Sequence, residues 1–213
     1  MHSLPRHSQA VLVALTVFST LGFAQSIEKI RNDKVVVYED NLQPRETVSG
    51  SNEMPALVLS LGKGTLEIVP RRGTAATIST KPGSVTFEPA GIQVVSNRGS
   101  SPLRIIRIDF IGEGSHEHWG RRGLSLHYKV LLENNLVRVY NIFIPAKRSE
   151  PQHTHRGRVV VCLAGAELTH RFPDGRTEVS TLKTGEVVWR KGSTHIGQNH
   201  SANNFHAIAI EPK

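Results

Sequence analysis

The 213-residue chain is long enough for one or two domains, and its single cysteine, Cys162, excludes a framework of internal disulfides. Its formal net charge of +8 reads first as a charge that keeps the protein soluble, with anionic ligands or surfaces as the alternative. The basic residues are scattered, only 6% of the chain is aromatic and no nucleic-acid motif appears, so no nucleic-acid partner is expected.

The first residues read MHSLPRHSQAVLVALTVFSTLGFAQS. Arg6 supplies a positive start, Ala10 to Thr20 a short apolar stretch, and Gly22-Phe-Ala24 a small-residue cleavage site. This layout predicts a secretory signal over residues 1–24 and an exported, periplasmic or extracellular protein. No later segment reaches the ~20 apolar residues of a spanning helix, so no integral membrane span is expected.

Beyond the signal, Ser26–Asn32 has room for one short helical turn. From there turn signals such as RNDK, GKG, KPG, PDGR and KTG recur roughly every 8–12 residues, separated by short runs of Val, Ile, Leu and Thr. That pattern predicts an all-β fold. Cys162, in VVVCLAG, reads as a small buried residue rather than a reactive thiol.

Shifting the sequence by 102 residues aligns its two halves. VVVYEDNLQPRE from Val35 falls on VRVYNIFIPAKR from Val137, and PGSVTF from Pro82 on TGEVVW from Thr184. NRGSSPLRIIRIDF from Asn97 falls on NHSANNFHAIAIEP from Asn199. The reading is therefore two tandem β-domains, residues 33–111 and 131–213, joined by a linker over 112–130. Such a pair is expected to pack like a two-fold dimer; a further homo-oligomer stays open.

In a strand, residues i and i+2 share a face, so His153 and His155 project together. His195 follows a strand and a turn at Gly192, where an antiparallel barrel can return it to the same place. Three imidazoles with open positions suit one divalent transition metal: Fe, Mn, Ni, Cu or Zn. Asn199 reads as a loop-holding residue, and His170, in LTHRF, as a surface residue. His116 and His118, beside Trp119, read as part of a solvated linker, and Trp189 as packing at a barrel rim. His200 and His206 read as non-ligands, and imperfect alternation in FHAIAIE leaves the face of His206 open. Glu150 and Glu167 have no evident carboxylate partner at glycosidase spacing, and no serine-hydrolase elbow or phosphate-binding loop appears.

These motifs resemble the cupin superfamily. The first cupin motif runs Gly, His-x-His, Glu, then Gly; here those positions read Arg148, His153, His155, Arg158 and Gly165. The second runs Gly, a Pro-x-Gly turn, His and Asn; here it reads Gly185, Arg190-Lys-Gly192, His195 and Asn199. Residues 136–211 are thus similar to small bacterial cupins and residues 35–110 to a second copy, which implies two jelly-roll barrels, a bicupin. The resemblance implies a metal at His153, His155 and His195 and, by analogy, dioxygenase chemistry on a small molecule. Two departures stand out. Arg158 replaces the family's glutamate, and the shift places Ser51, Glu53 and Gln93 where the three histidines stand, so the N-terminal copy lacks the ligands. Arg158 facing inward would bind a small, anionic substrate through its guanidinium; facing outward it would be a solvated edge residue. The alternative function is a non-catalytic ligand-binding or structural bicupin.

Overall fold

The computed structural model describes residues 24–50 and 53–213, so the expected signal lies outside the described residues except for Ala24. The N-terminal half contains β1 (Ile27–Arg31), β2 (Val35–Leu42), β3 (Thr47–Ser49), β4 (Ala56–Ser60), β5 (Gly64–Pro70), β6 (Ala76–Thr80), β7 (Val85–Glu88), β8 (Ile92–Asn97) and β9 (Leu103–Phe110). The C-terminal half contains β10 (Tyr128–Glu133), β11 (Val137–Ile144), β12 (His153–His155), β13 (Arg158–Ala164), β14 (Ala166–Arg171), β15 (Thr177–Leu182), β16 (Val187–Arg190), β17 (Ser193–Asn199) and β18 (Phe205–Pro212). The fold is all-β. The helical turn expected near Ser26–Asn32 is instead β1: five residues cannot sustain an isolated helix, whereas the open edge of β2 offers IEKIR an antiparallel ladder.

Each half forms a five-stranded and a four-stranded sheet. The orders are β1-β2-β9-β4-β7 with β3-β8-β5-β6, and β10-β11-β18-β13-β16 with β12-β17-β14-β15. The second set repeats the first strand for strand. The correspondence reaches single hydrogen bonds. The Asn32 side chain accepts from the Lys34 and Val35 amides, both at 2.9 Å, and the Asn134 side chain accepts from Leu136 and Val137 at 2.8 and 3.0 Å. Asn97 donates to the Leu42 and Ser101 carbonyls, and Asn199 donates to those of Ile144 and Asn203. Gly83 and Gly185 turn at φ of 83° and 81°, a region that favours glycine.

The central strands of the five-stranded sheets are buried on both faces, which explains their apolar runs. In β13 (VVVCLA follows Arg158), Val159 and Val161 face one way, and Arg158, Val160 and Cys162 the other. The first face joins Val137, Val139, Ile208 and Ile210 against Val35, Val37, Leu57, Leu59, Ile106 and Ile108 of the other half. The two barrels thus dock sheet to sheet. Trp189 packs against this docking core rather than standing alone at a rim. The second face lines the C-terminal barrel interior with Tyr140, Ile142, Leu168 and Phe205. Cys162 is fully buried there, and burial pushes its thiol up to about 11, as an inert residue requires.

The connection between the halves is not a uniformly solvated linker. His116 and His118 are exposed, but Trp119 is only 5% exposed. The Glu133 carboxylate, from β10, accepts the amides of Trp119 and Gly120, and the Arg138 guanidinium binds the carbonyls of Gly120 and Arg122. Arg156 stacks over the Trp119 ring at 4.0 Å. A Gly-rich strap held by polar bonds to residues later in the chain leaves no periodic pattern in sequence, which is why composition alone reads it as solvated.

Candidate metal centre

The short strand β12 pairs with β17 so that His153 lies opposite His195, Thr154 opposite Thr194 and His155 opposite Ser193. Alternation then sends Thr154 outward and both histidines of β12 inward, at 5% and 3% exposure, beside His195 at 4%. The register is held from both ends: the Glu150 amide donates to the Gly197 carbonyl at 2.8 Å, and the Thr154 amide to Gly123 at 2.8 Å. Gly192 lets the turn pass close to β12; a Cβ there would sit 3.1 Å from the His155 carbonyl.

One ring nitrogen from each of His153, His155 and His195 lies within 4.8 Å of the others. Ring centroids are 4.7 Å apart for His153 and His195 and 4.8 Å for His155 and His195. His153 Nδ1 lies 3.0 Å from the Pro151 carbonyl, an acceptor only, so Nδ1 carries the proton and Nε2 keeps its lone pair. That Nε2 meets the Tyr128 hydroxyl at 3.1 Å. His195 Nδ1 meets Ser193 Oγ at 3.1 Å. Burial above all, then the neighbouring His170, His153 and Arg158, hold His195 down to about 3; burial likewise lowers His153. Both rings are therefore neutral at pH 7, the form a metal takes. His155 Nε2 is buried without a partner. The converging nitrogens of His153, His155 and His195, with the unpartnered His155 Nε2 among them, fit a divalent transition metal.

Arg158 lies inside the barrel, 6% exposed, with its NH1 against His155 Nδ1. Arg190 pairs with it across β13 and β16. Both line a cavity of about 360 Å³ that also touches His155, His195, Phe172 and Leu168. His170, expected at the surface, faces this cavity too. Its ring stands 4.6 Å from that of His195, its Nε2 meets Ser180, and its Nδ1 is buried without a partner. Burial, then Arg190 and Arg158, hold it down to about 4. The signal was present in LTHRF, because His170 shares the parity of the inward Leu168.

Glu150 also lies beside the histidines. It is 3% exposed, with Oε2 at 3.4 Å from the Tyr128 hydroxyl and 3.9 Å from His153 Nε2. Burial pushes its carboxyl up to about 7, against the opposing pull of Ser125, Tyr128 and Arg158. Asn199 holds the loop after β17, as expected. His200 contributes its amide to Glu167, and His206 contacts Asn141 and Phe143 away from the cluster.

The N-terminal barrel has no such centre among the described residues. There β3 pairs with β8 up to Ser49 and Val94, and the Gly50 amide donates at 2.8 Å to the carbonyl of Gln93, which stands where the other barrel has His195. Gln93 is exposed, and Glu53 pairs with Arg71 at 2.6 Å. Ser51 lies outside the described residues. Its core is filled by Leu42, Val48, Leu66, Ile68, Val95 and Ile105, and Arg107 is buried beside Asp40 and Asp109, at 3.7 Å from each.

No family model matches this chain, and no curated protein matches it. Among solved structures, AerE from Microcystis aeruginosa is similar over 90% of this chain and 97% of its own, at 13% identity and a TM-score of 0.62. A cupin 2 conserved barrel domain protein from Leptotrichia buccalis matches over 92% of both chains, at 17% identity and a TM-score of 0.58. Oxalate decarboxylase from Bacillus subtilis matches over 84% of this chain and 68% of its own, at 11% identity and a TM-score of 0.58. The strand order, the repeat and these likenesses define the class: the chain is a tandem cupin by fold, with a buried three-histidine group in its second barrel.

Proposed function

We propose that the chain is an exported, metal-dependent cupin enzyme whose C-terminal barrel acts on a small organic anion, with oxygenase chemistry as the leading reaction class. The observation that carries this reading is the convergence of three buried histidine nitrogens beside a cavity bearing Arg158 and Arg190. Its size, about 360 Å³, suits a small molecule. His153, His155 and His195 would hold the metal, which supplies Lewis-acid or O₂-activating chemistry when bound. Arg158 and Arg190 would orient an anionic group of the substrate. Phe172, Leu168 and Phe205 would exclude water from its apolar part. Glu150, titrating near neutrality behind Tyr128, would hold or release a proton beside His153.

One observation favours a second reading. Arg158 stands where the cupin motif has a carboxylate ligand, and it touches His155. A barrel that captures anions without a metal is consistent with that contact. Metal content by plasma mass spectrometry on untagged protein separates the two. We expect about one equivalent of a transition metal per chain, lost in His153→Ala and His195→Ala. No metal after incubation with Fe²⁺, Mn²⁺, Ni²⁺ and Zn²⁺ would leave the anion-binding module.

A further inference from the structure

We infer that Arg158 couples the two ligands of this barrel, so that a carboxylate in the cavity strengthens metal binding at the three histidines and the metal strengthens carboxylate binding. The inference rests on the metal reading above and adds its regulation.

The argument begins with the Nδ1 atoms of the three rings. His153 donates from Nδ1 to Pro151, and His195 has in Ser193 Oγ a group able to accept from its Nδ1. Each can therefore offer a free Nε2. His155 differs, because its Nδ1 faces the Arg158 guanidinium. A guanidinium only donates, so His155 Nδ1 must accept, and the neutral ring then carries its proton on Nε2. That nitrogen is the buried, unpartnered one. While Arg158 stays on His155, the third imidazole is set in the tautomer that cannot bind a metal. The guanidinium also adds positive charge at the point where a divalent cation would arrive.

The same residue is prepared for an anion. Arg158 is buried, and its Nε has no hydrogen-bond partner. It lies opposite Arg190 in the β13–β16 register, an unfavourable like-charge pair. Among the described residues neither arginine forms an ion pair with a carboxylate. Both open on the cavity. A carboxylate entering between them would relieve the repulsion and draw the guanidinium off His155. Nδ1 could then take the ring proton and Nε2 its ligand tautomer. Both effects favour the metal, and linkage makes the coupling reciprocal.

The test is Co²⁺ binding to the untagged full chain, read by equilibrium dialysis and visible absorption at constant ionic strength, with acetate or the neutral acetamide. Saturating acetate should tighten Co²⁺ binding by about 10-fold or more, within the usual range of such couplings, and acetamide should not. Arg158→Gln places an acceptor beside His155 and removes the charge. It should bind Co²⁺ tightly without acetate and ignore acetate when added. Arg158→Lys keeps a donor-only cation and should stay weak. The wild-type comparison needs no variant to fold. Equal Co²⁺ affinity with acetate and acetamide would overturn the coupling, as would an acetate response undiminished in Arg158→Gln. Absence of Co²⁺ binding in wild type and Arg158→Gln under every condition would instead remove the metal reading, and the coupling with it.

Discussion

Arg138 has one of the largest fully buried side chains of the molecule, at 2% exposure, and its charge is met by Glu211 at 0%. Its Nε donates to Glu211 Oε2 at 2.8 Å, while Glu211 Oε1 accepts from the Tyr140 hydroxyl and the Arg156 amide, both at 3.0 Å. Removing one partner strands the other in the interior. Arg138→Leu should therefore destabilise the chain by about 3–5 kcal/mol, measured by urea unfolding. A loss below about 1 kcal/mol would mean that Glu211 finds another partner or takes up a proton. At this scale legibility depended on parity. His153 and His155 share a face through a period of two, and His170 follows once Leu168 is placed, whereas the face of Arg158 stayed open because the break between β12 and β13 resets the parity. Glu150 does not follow, because its position is set by cross-strand bonding to Gly197, which no local pattern encodes.

The strap over residues 115–125 shows how one carboxylate can hold an element without regular structure. Burial pushes Glu133 upward, but the Lys213 ammonium at 2.8 Å and the amides of Trp119 and Gly120 outweigh it and hold the carboxyl down to about 2. Its unfolded value is near 4.5. The contribution is thus complete above pH 4.5 and is lost as the pH falls through about 2, because only the unfolded chain takes up the proton in between. Glu133→Gln should cost about 1–3 kcal/mol at pH 7 and flatten this acid limb. Thermal melts between pH 2 and 7, followed by Trp119 fluorescence, check both. An unchanged acid limb in the variant would show that other carboxylates control it. The strands themselves were legible because turns and apolar runs alternate. The strap was not, because its order comes from Glu133, Arg138 and Lys213, which lie far along the chain.

For the molecule as a whole, the docking of two five-stranded sheets decides what each barrel can do alone. Val137, Val139, Val159, Val161, Ile208 and Ile210 of the C-terminal barrel are covered by the other half. Expressed alone, residues 112–213 would expose this patch, and size-exclusion chromatography should show aggregation or self-association. A well-folded monomer would show that the N-terminal half is dispensable for the fold. Within the intact chain, Leu59→Ala at the docking core should cost about 2–5 kcal/mol. The 102-residue repeat made this architecture legible, since a β-domain repeated in tandem must bury its spare apolar face somewhere. Which face docks was not legible, because β4 and β13 bury apolar residues on both faces.

That docking is made within one polypeptide. Two separate barrels held by the same face would come apart as protein concentration fell, and the histidine cluster would lose its support with them. Short tethers keep joined modules at effective concentrations in the mM range. The pair should therefore survive dilution that would separate an unlinked pair. The first barrel can thus serve as a permanent wall behind the second.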